Sequence, residues 1–242
     1  MKNDVDAVAG AALLAADALP PVPHYLSAHY WWAYVHPRAV RLFERQWMVN
    51  LILWGNYDRL CDALLDSFGA QLPGRTLQIA CAYGDLTPRL AQRIAPDGAL
   101  DVIDILPIQL ANLAAKLPRQ APVRMHHMNS AALGFADASF ERAVMFFLLH
   151  EQPHEVRLNT LAEALRVVRP GGTLTIVDFA RPSRLNPQRY VWLPLIGLVE
   201  PFAPALWREE LSAWLPREVP IAAMERRSFF GGAYQMLTLT RG

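Results

Sequence analysis

Short apolar runs and amphipathic stretches alternate along the chain after residue 70. Apolar runs bounded by turn residues are typical of buried strands, and apolar residues at every third or fourth position are typical of helices. The predicted strands lie around Gln78 and at 100–105, 123–128, 140–149, 173–179, 224–230 and 234–240. The predicted helices span 88–94, 108–117 and 154–168, and a turn is predicted at 169–172. This alternation predicts an α/β fold with a mostly parallel seven-stranded sheet and a C-terminal antiparallel hairpin.

The segment before the first strand is dense in aromatic residues. Residues 1–23 end in a proline-rich break, and we expect them to be flexible. In residues 24–70, apolar spacing predicts one helix from Pro37 to about Leu53 and a second from Tyr57 to Phe68. We therefore expect an aromatic helical cap (24–70) in front of a main domain that spans 71–242.

Residues 181–219 interrupt the strand–helix rhythm with prolines among bulky apolar side chains. This pattern predicts an apolar lid, or an inserted helical pair, within the main domain. The apolar part is either a core helix or a hydrophobic entrance for a lipid tail that touches a membrane surface. Arg181, Arg184 and Arg189 precede or begin it, as expected for peripheral contact with anionic headgroups.

The composition excludes some classes of function but does not identify one. The chain has 242 residues, 53% of them hydrophobic and 19% charged, and its net charge of +1 disfavours a nucleic-acid partner. Two cysteines, Cys61 and Cys81, make no disulfide framework and suit a reducing compartment. No apolar run reaches the roughly 18 residues that cross a bilayer. We expect a cytoplasmic protein, peripheral to the inner membrane.

A nucleoside site is predicted where the first two strands end. Gly84 and Asp85 form a turn that opens a helix, so their backbone N–H groups would face a ligand carboxylate. Asp104 ends the second strand, where an acid accepts hydrogen bonds from ribose hydroxyls. Asn129 and Ser130 follow the third strand and would border a base, although Asn129 could instead form an Asx turn. The turn has one glycine and no G-x-G-x-x-G, which disfavours a dinucleotide.

These motifs resemble those of class I S-adenosylmethionine (SAM)-dependent methyltransferases, and among them the quinone-ring enzymes of ubiquinone and menaquinone synthesis. The resemblance covers roughly residues 56–242 and rests on 79–87, Asp104, 129–130, 139–144, 165–172 and 231–232. It implies a Rossmann-like class I SAM-methyltransferase fold. The SAM-binding residues it implies are Gln78, Cys81, Ala82, Tyr83, Gly84, Asp85, Asp104, Ile105, Asn129 and Ser130.

Three positions depart from that methyltransferase pattern. Gln78 stands where the pattern has an acid that positions the methionine end of SAM, and Ala82 stands where it has a glycine. Tyr83 replaces a small residue. The end of the site that donates the methyl group is therefore expected to be repacked.

The rhodoquinone-biosynthesis proteins of the RquA type resemble this chain in those departures. Residues 24–34 and 43–57 also resemble that family, which extends the likeness to nearly all of the chain after residue 23. The resemblance implies conversion of ubiquinone to rhodoquinone. A ring methoxy group is replaced by an amino group taken from SAM, with a divalent metal such as manganese. Two alternatives remain: a quinone or small-aromatic methyltransferase, and a non-catalytic accessory subunit that binds lipid.

Three side chains are candidates for catalysis: Tyr57, His150 and Glu151. The stretch 150–154 reads H-E-x-x-H, but Pro153 would break the continuous helix that a zinc protease needs. His150 and Glu151 follow the fourth strand and could act as acid, base or metal ligand, or simply bond to backbone. Tyr57 is the candidate for a catalytic or positioning hydroxyl, because it precedes the main domain at a break in the cap.

Overall fold

One seven-stranded sheet organises residues 20–81 and 83–242, the part of the chain that the computed structural model describes. Its strands are β1 (Arg75–Ile79), β2 (Ala99–Asp104), β3 (Val123–His127), β4 (Phe140–Phe146), β5 (Val168–Phe179), β6 (Ile221–Phe229) and β7 (Tyr234–Arg241). The spatial order is β3-β2-β1-β4-β5-β7-β6. Strands β1 to β5 pair in parallel, and β7 is antiparallel to both β5 and β6. The predicted mostly parallel sheet with a C-terminal antiparallel hairpin is confirmed.

Helices cover the sheet and form most of the cap. They are α1 (His24–His29), α2 (Pro37–Phe43), α3 (Gln46–Ile52), α4 (Tyr57–Phe68), α5 (Leu86–Ala91), α6 (Pro107–Lys116), α7 (His154–Val167), α8 (Gln188–Val199) and α9 (Pro204–Arg208). A π-helix spans Trp31–Val35, and short 3₁₀ turns lie at Leu149–Glu151, Leu211–Trp214 and Phe230–Gly232. Residues 1–19 and Ala82, which carry two of the predictions above, lie outside the described residues.

The core lies on both faces of the central strands. Leu77, Val144 and Ile176 on β1, β4 and β5 are fully buried, as in a parallel sheet covered by helices on both sides. Helix α4 belongs to the same core, since Leu60 and Leu64 are buried in it. The carboxyl ends of β1, β2 and β4 are thereby held at one edge of the sheet, where open α/β folds bind ligands.

The helix predicted from Pro37 to Leu53 is wrong, because the chain breaks it at Glu44 and Arg45 into α2 and α3. The Glu44 carboxylate accepts hydrogen bonds from Asn112 Nδ2 (2.6 Å) and Lys116 Nζ (2.7 Å) on α6. These bonds fasten the cap to the main domain at the break. Helical spacing alone carries no information about such a distant partner.

The predicted turn at 169–172 is also wrong, because these residues are the first part of β5. Phe140 pairs with Val168 but Arg142 pairs with Thr173, so β5 bulges between two regular stretches of its ladder with β4. Gly171 takes a positive φ of 74° within the bulge, which glycine adopts at little cost. The Pro-Gly-Gly signal therefore marks a bulge rather than the end of a strand.

Residues 181–219 contain α8, α9 and the 3₁₀ turn at Leu211–Trp214, between β5 and β6. Helix α9 and the turn at 211–214 bury Leu206, Trp207, Leu211 and Trp214 in the main core. Helix α8 is less buried, and Ile196 is its one buried residue. Each helix in the described part of the chain is too short or too polar to cross a bilayer.

We predict that Asp101→Asn lowers the free energy of unfolding at neutral pH by about 1–3 kcal/mol. Asp101 is buried in β2 and bonds to Arg75 Nη2 (3.0 Å) and His126 Nε2 (2.8 Å). Burial alone would raise the pKa of Asp101, but its bonds to His126 and Arg75 outweigh burial and lower it. Because the pKa of Asp101 is lower in the folded protein than in the unfolded chain, its carboxylate stabilises the fold at pH values above the ordinary pKa of aspartate. This stabilisation is lost as the pH falls through the pKa of the folded state. Urea unfolding across the acid range measures it.

The exposed Asp97, mutated to Asn, is the matched control and should leave stability unchanged. Equal stabilities of wild type and Asp101→Asn at neutral pH would contradict the prediction.

Candidate functional site

Three adjoining cavities lie where the parallel strands end. A cleft lies at the ends of β2 and β3, and it is called the nucleoside cleft after the site predicted there. A turn cavity lies over the turn between β1 and α5. An apolar chamber lies between the cap and α8. Ala80 lines the cleft and the turn cavity, Tyr83 and Phe146 line the turn cavity and the chamber, and Phe147 lines the cleft and the chamber.

Asp104 lies at the floor of the nucleoside cleft, at the end of β2. Its buried carboxylate accepts the backbone N–H groups of Cys81 (3.1 Å) and Leu106 (2.9 Å), so it ties together the turns that follow β1 and β2. Burial raises the pKa of Asp104, and these bonds oppose the rise. The predicted ribose ligand is therefore also the residue that shapes the floor of the cleft. Ile105, the next residue, lines the cleft beside it.

Asn129 and Ser130, which follow β3, also line the nucleoside cleft. Asn129 Oδ1 accepts the N–H of Ala131 (2.9 Å), so the Asx turn considered as an alternative is present. Ser130 Oγ lies 3.0 Å from Thr160 Oγ1 and accepts a bond from Gln152 Nε2 (3.0 Å). Both residues line the cleft, and parts of their side chains hold the loop after β3.

Gln78 and Cys81 act inside the turn between β1 and α5. Gln78 is buried, donates from Nε2 to the carbonyl of Ala80 (3.0 Å) and accepts from Thr87 Oγ1 (2.8 Å) on α5. Its amide therefore braces the turn at the position where the methyltransferase pattern has an acid. Burial raises the pKa of the Cys81 thiol well above its usual value, with Asp104 as the next cause, so it stays protonated.

Tyr57, at the start of α4, places its hydroxyl on the same turn. The oxygen accepts the N–H groups of Asp85 (2.7 Å) and Leu86 (3.0 Å). The Asp85 N–H, which was predicted to face a ligand carboxylate, is therefore bonded to this hydroxyl. Gly84 has a φ of 91°, and a Cβ at this position would overlap the Tyr57 hydroxyl. Burial raises the pKa of Tyr57, which keeps the phenol neutral. The predicted catalytic hydroxyl thus caps the start of α5 while its ring lines the chamber.

Tyr83 connects this turn with the cap. Its hydroxyl donates to the carbonyl of Ala33, and its ring stacks on Phe43 with centroids 5.9 Å apart. Lys116 on α6 adds a second connection, because its Nζ donates to the carbonyl of Gly84 (2.8 Å) and to Glu44 (2.7 Å). The ring of Tyr83 therefore forms part of the wall between the turn cavity and the chamber.

His150 and Glu151 face different cavities. The short turn 149–151 directs His150 into the chamber and Glu151 into the nucleoside cleft. His150 Nδ1 lies 3.0 Å from Asp178 Oδ1, while its Nε2 is 3.7 Å from Glu151 Oε1. Burial lowers the pKa of His150, but the carboxylates of Asp178 and Glu151 outweigh it and raise the value to about 9. The imidazole is therefore a cation at neutral pH.

Asp178 and Arg157 hold this turn from its two sides. Asp178, fully buried near the end of β5, accepts the N–H groups of Leu149 (2.8 Å) and His150 (3.3 Å). Arg157 on α7 is 1% exposed and donates to the carbonyls of Leu149 (2.9 Å) and Gln152 (2.9 Å). The sequence analysis missed both residues. The strand-end rule that found Asp104 would also have found Asp178, whereas nothing in the sequence marks Arg157.

Glu200 is the second ionisable group of the chamber. It lies between α8 and α9 and lines the chamber. Burial raises the pKa of Glu200, while the His150 cation and the Tyr30 hydroxyl oppose the rise. An acid and a cation therefore face one apolar space. Sequence analysis missed Glu200 because it lies inside the apolar insertion.

The expected metal is not matched by a ligand set. His150 and Glu151 are the two candidates; His150 Nε2 lies 3.7 Å from Glu151 Oε1, and Nδ1 of His150 is occupied by Asp178. In residues 20–81 and 83–242, no group of three or more His, Cys, Asp or Glu side chains is placed to hold an ion. Manganese sites are built from several oxygen and imidazole ligands. These residues do not fit a resident manganese ion.

Comparison with known sequences connects the site with methyltransferases. Residues 76–172 match the family model of a methyltransferase domain. A demethylmenaquinone methyltransferase of Geobacillus sp. (strain WCH70) is 24% identical over 166 residues, which cover 64% of this chain and 70% of that protein. The ubiquinone/menaquinone biosynthesis C-methyltransferase UbiE of Stutzerimonas stutzeri is 29% identical over 140 residues. That alignment covers 56% of this chain and 54% of the relative.

Comparison with solved structures identifies the fold. A SAM-dependent methyltransferase from Aquifex aeolicus has a TM-score of 0.55 at 18% identity, over 84% of this chain and 97% of its own. The N-methyltransferase NodS of Bradyrhizobium japonicum, in complex with S-adenosyl-L-homocysteine, has a TM-score of 0.54 at 16% identity, over 76% and 86%. The [4+2]-cyclase SpnF has a TM-score of 0.55 at 18% identity, over 76% and 80%. The predicted Rossmann-like SAM-methyltransferase fold is confirmed, and SpnF illustrates that such a fold hosts more than one chemistry.

We predict that Gly84→Ala weakens SAM binding by about tenfold or more, which corresponds to at least about 1.4 kcal/mol. The added Cβ would overlap the Tyr57 hydroxyl and displace it from the start of α5, which distorts the turn that faces the ligand. Isothermal titration calorimetry with SAM measures the effect.

Gly55→Ala is the matched control for this substitution. Gly55 has a φ of 72°, but a Cβ there meets no atom within 4 Å, so the variant adds backbone strain without the overlap. An equal loss of SAM affinity in both variants would show that strain, not the contact with Tyr57, is responsible.

Proposed function

We propose that this protein is a SAM-utilising enzyme that acts on the head ring of ubiquinone and replaces a ring methoxy group by an amino group. The observation that carries the proposal is the position of His150. Its buried cationic imidazole faces an apolar chamber that shares walls with the nucleoside cleft and the turn cavity. A proton donor thus lies in the wall of the cavity that we propose for the ring.

The cleft and the turn cavity suit SAM. Asp104 lies where ribose hydroxyls bind in this fold, and Asn129 and Ser130 line the same cleft, where a base would lie. The matching relatives named as menaquinone and ubiquinone methyltransferases support a quinone as the second substrate. SAM binding and a quinone partner are the parts of the proposal that those relatives support.

The chamber suits a quinone ring with an apolar tail. Phe146, Phe147, Phe179 and Trp192 line it, and aromatic side chains pack well against a flat ring. The polar groups at its wall are few and placed together, chiefly His150 and Glu200. A mostly apolar cavity with a few convergent polar groups is typical of a small-molecule site.

The charge of His150 favours addition to the ring. When its Nε2–H donates to a quinone oxygen, it withdraws electron density and makes the ring carbon that bears the methoxy group more electrophilic. A nitrogen nucleophile would add at that carbon, and the methoxy group would leave as methanol with the proton that the nitrogen gives up. With the amine of SAM as the nucleophile, the Cα–N bond of SAM would then have to break, with the nitrogen taking the electron pair and a proton from Cβ, so that an amino group stays on the ring. Ring methylation has the opposite requirement, an electron-rich ring beside a proton acceptor. The imidazolium therefore favours methoxy-to-amino exchange.

The neutral side chain of Gln78, at the position that faces the methionine end of SAM in the methyltransferase pattern, supports SAM as the source of nitrogen. Gln78 replaces an acid and is bonded to Ala80 and Thr87, so it offers no carboxylate to an ammonium group. An amine without such a partner loses its proton more readily and becomes a nucleophile. Tyr83 lines both the turn cavity and the chamber, so it would lie between the two substrates. No step is assigned to manganese, because the residues present do not form a site for it.

Methyl transfer to a quinone or small aromatic ring is the second candidate. The match of residues 76–172 to a methyltransferase domain favours it. The two reactions change the mass of the quinone in opposite directions, since exchange makes it lighter and methylation makes it heavier.

We predict that the purified protein converts a short-tailed ubiquinone into a product lighter by the difference between a methoxy and an amino group. The reaction requires SAM, and SAM labelled with ¹⁵N in its amino group should pass the label to the product. Mass spectrometry of the extracted quinone, with and without manganese, measures both results. His150→Gln is the matched variant and should bind SAM but form little product.

A heavier, methylated quinone would replace this proposal by the methyltransferase. An unchanged quinone despite SAM binding would contradict both candidates.

We predict that the activity falls as the pH rises through about 9, because His150 then loses the proton that it must donate. In Asp178→Asn the carboxylate is lost and burial dominates, so the pKa of His150 should fall to or below its ordinary value of about 6.5. The fall in activity should therefore begin at lower pH, which a profile of kcat/KM against pH measures. Asp101→Asn removes a buried acid away from the site and should keep the wild-type profile. An unmoved profile in Asp178→Asn would refute the role of the His150 cation.

A further inference from the structure

We propose that α3 and α8 together form a docking surface for an anionic lipid bilayer, with the mouth of the apolar chamber between them. The inference rests on the proposed function, because it identifies how a lipid quinone reaches the chamber. Sequence analysis expected lipid contact from the insertion alone. The structure brings a helix of the cap beside it, and this pairing carries the proposal.

Both helices expose large apolar side chains. On α3 and the turn after it, these are Trp47, Leu51, Ile52 and Trp54. On α8 they are Tyr190, Val191, Leu195, Leu198 and Val199. The exposed fractions reach 64% for Leu51 and 82% for Leu198. Single exposed apolar residues are ordinary, but a contiguous group of this size marks a contact surface.

The two helices meet at the mouth of the chamber. The rings of Trp54 and Trp192 lie edge to face with centroids 4.9 Å apart, which joins the end of α3 to the middle of α8. Ile52 and Val199 are both exposed and also line the chamber, so the chamber opens onto this surface. A quinone ring that enters here leaves its tail on the apolar side of the surface.

The charges of the surface suit anionic headgroups. Helix α3 has no charged residue, and the one charged residue of α8 is Arg189. Arg45 directly precedes α3, Arg184 lies shortly before α8, and both are exposed. Glu200, at the end of α8, lines the chamber. Apolar and aromatic side chains flanked by arginines are typical of helices that lie in the interface of an anionic bilayer.

A bilayer fits this surface better than a second copy of the chain does. Anionic headgroups supply counter-ions to Arg45 and Arg184, whereas the α3 and α8 of a second copy carry no acid in their helical residues. A bilayer also supplies the substrate, since an isoprenoid quinone resides in it. The protein would then lie on one leaflet, with α3 and α8 among the headgroups and acyl chains.

Flotation with vesicles tests the surface. The probe is a set of vesicles of phosphatidylcholine alone, and of three parts phosphatidylcholine to one part phosphatidylglycerol. The wild type should bind the anionic vesicles and release at high salt. Trp47→Ser with Leu51→Ser, and separately Leu195→Ser with Leu198→Ser, should each lower binding by about tenfold or more, because apolar burial is lost. The matched control is Met224→Ser, since Met224 is exposed on β6, away from both helices.

If only the substitution of Leu195 and Leu198 on α8 lowers vesicle binding, α3 is not part of the docking surface. Failure of the wild type to bind anionic vesicles would overturn the whole proposal. The proposal would also be overturned if the wild type is a dimer and both double variants are monomers, because the surface would then join two copies of the chain.

A second assay separates this inference from the proposed function. None of the four substituted residues lines the chamber, so both pairs should keep wild-type turnover of a tail-less, water-soluble quinone. With a long-tailed quinone in vesicles, both pairs should lose about tenfold in kcat/KM. If the wild type does not turn over the tail-less quinone, the proposed function is wrong. The vesicle-binding result then still decides whether α3 and α8 form a docking surface. Equal turnover of the vesicle-bound quinone by all variants would overturn the inference alone.

Discussion

Two buried side chains of opposite charge hold the turn on which the site depends. Asp178 accepts the N–H groups of Leu149 and His150, and Arg157 donates to the carbonyls of Leu149 and Gln152. The turn therefore has partners for its polar backbone on both sides although it is buried. A buried backbone group without a partner costs about 1–3 kcal/mol, so the turn would not keep this shape without them. Its shape sends His150 into the chamber and Glu151 into the nucleoside cleft.

Arg157 extends this arrangement to the insertion. Its guanidinium also donates to the carbonyl of Phe202 (3.1 Å) and lies over the ring of Trp214. Phe202 in turn packs edge to face against Tyr25 and His29 of the cap. One buried cation thus links the turn after β4, the insertion and the cap. The chamber is enclosed by these three parts of the chain, so its walls depend on the same contacts that orient His150.

The turn between β1 and α5 is linked to the cap in a similar way. Tyr57 caps the start of α5, Tyr83 reaches the carbonyl of Ala33, and Lys116 bridges Gly84 and Glu44. Any displacement of the cap therefore acts on the turn that we propose to face SAM. This coupling gives a physical reason for the large Tyr83 at a position where the methyltransferase pattern has a small residue. The tyrosine forms the wall between two cavities and fastens the cap with its hydroxyl.

The sequence by itself determined the parallel sheet, its terminal hairpin and the place of Asp104, because these follow from local periodicity and from the rule that ligands bind at strand ends. It also placed His150 and Glu151 after the fourth strand. Only the tertiary structure decided that these two side chains face different cavities and that Arg157 and Asp178 hold them. It also decided that the cap breaks at Glu44. Each of these features arises from hydrogen bonds between residues far apart along the chain, and local periodicity carries no signal for a distant partner.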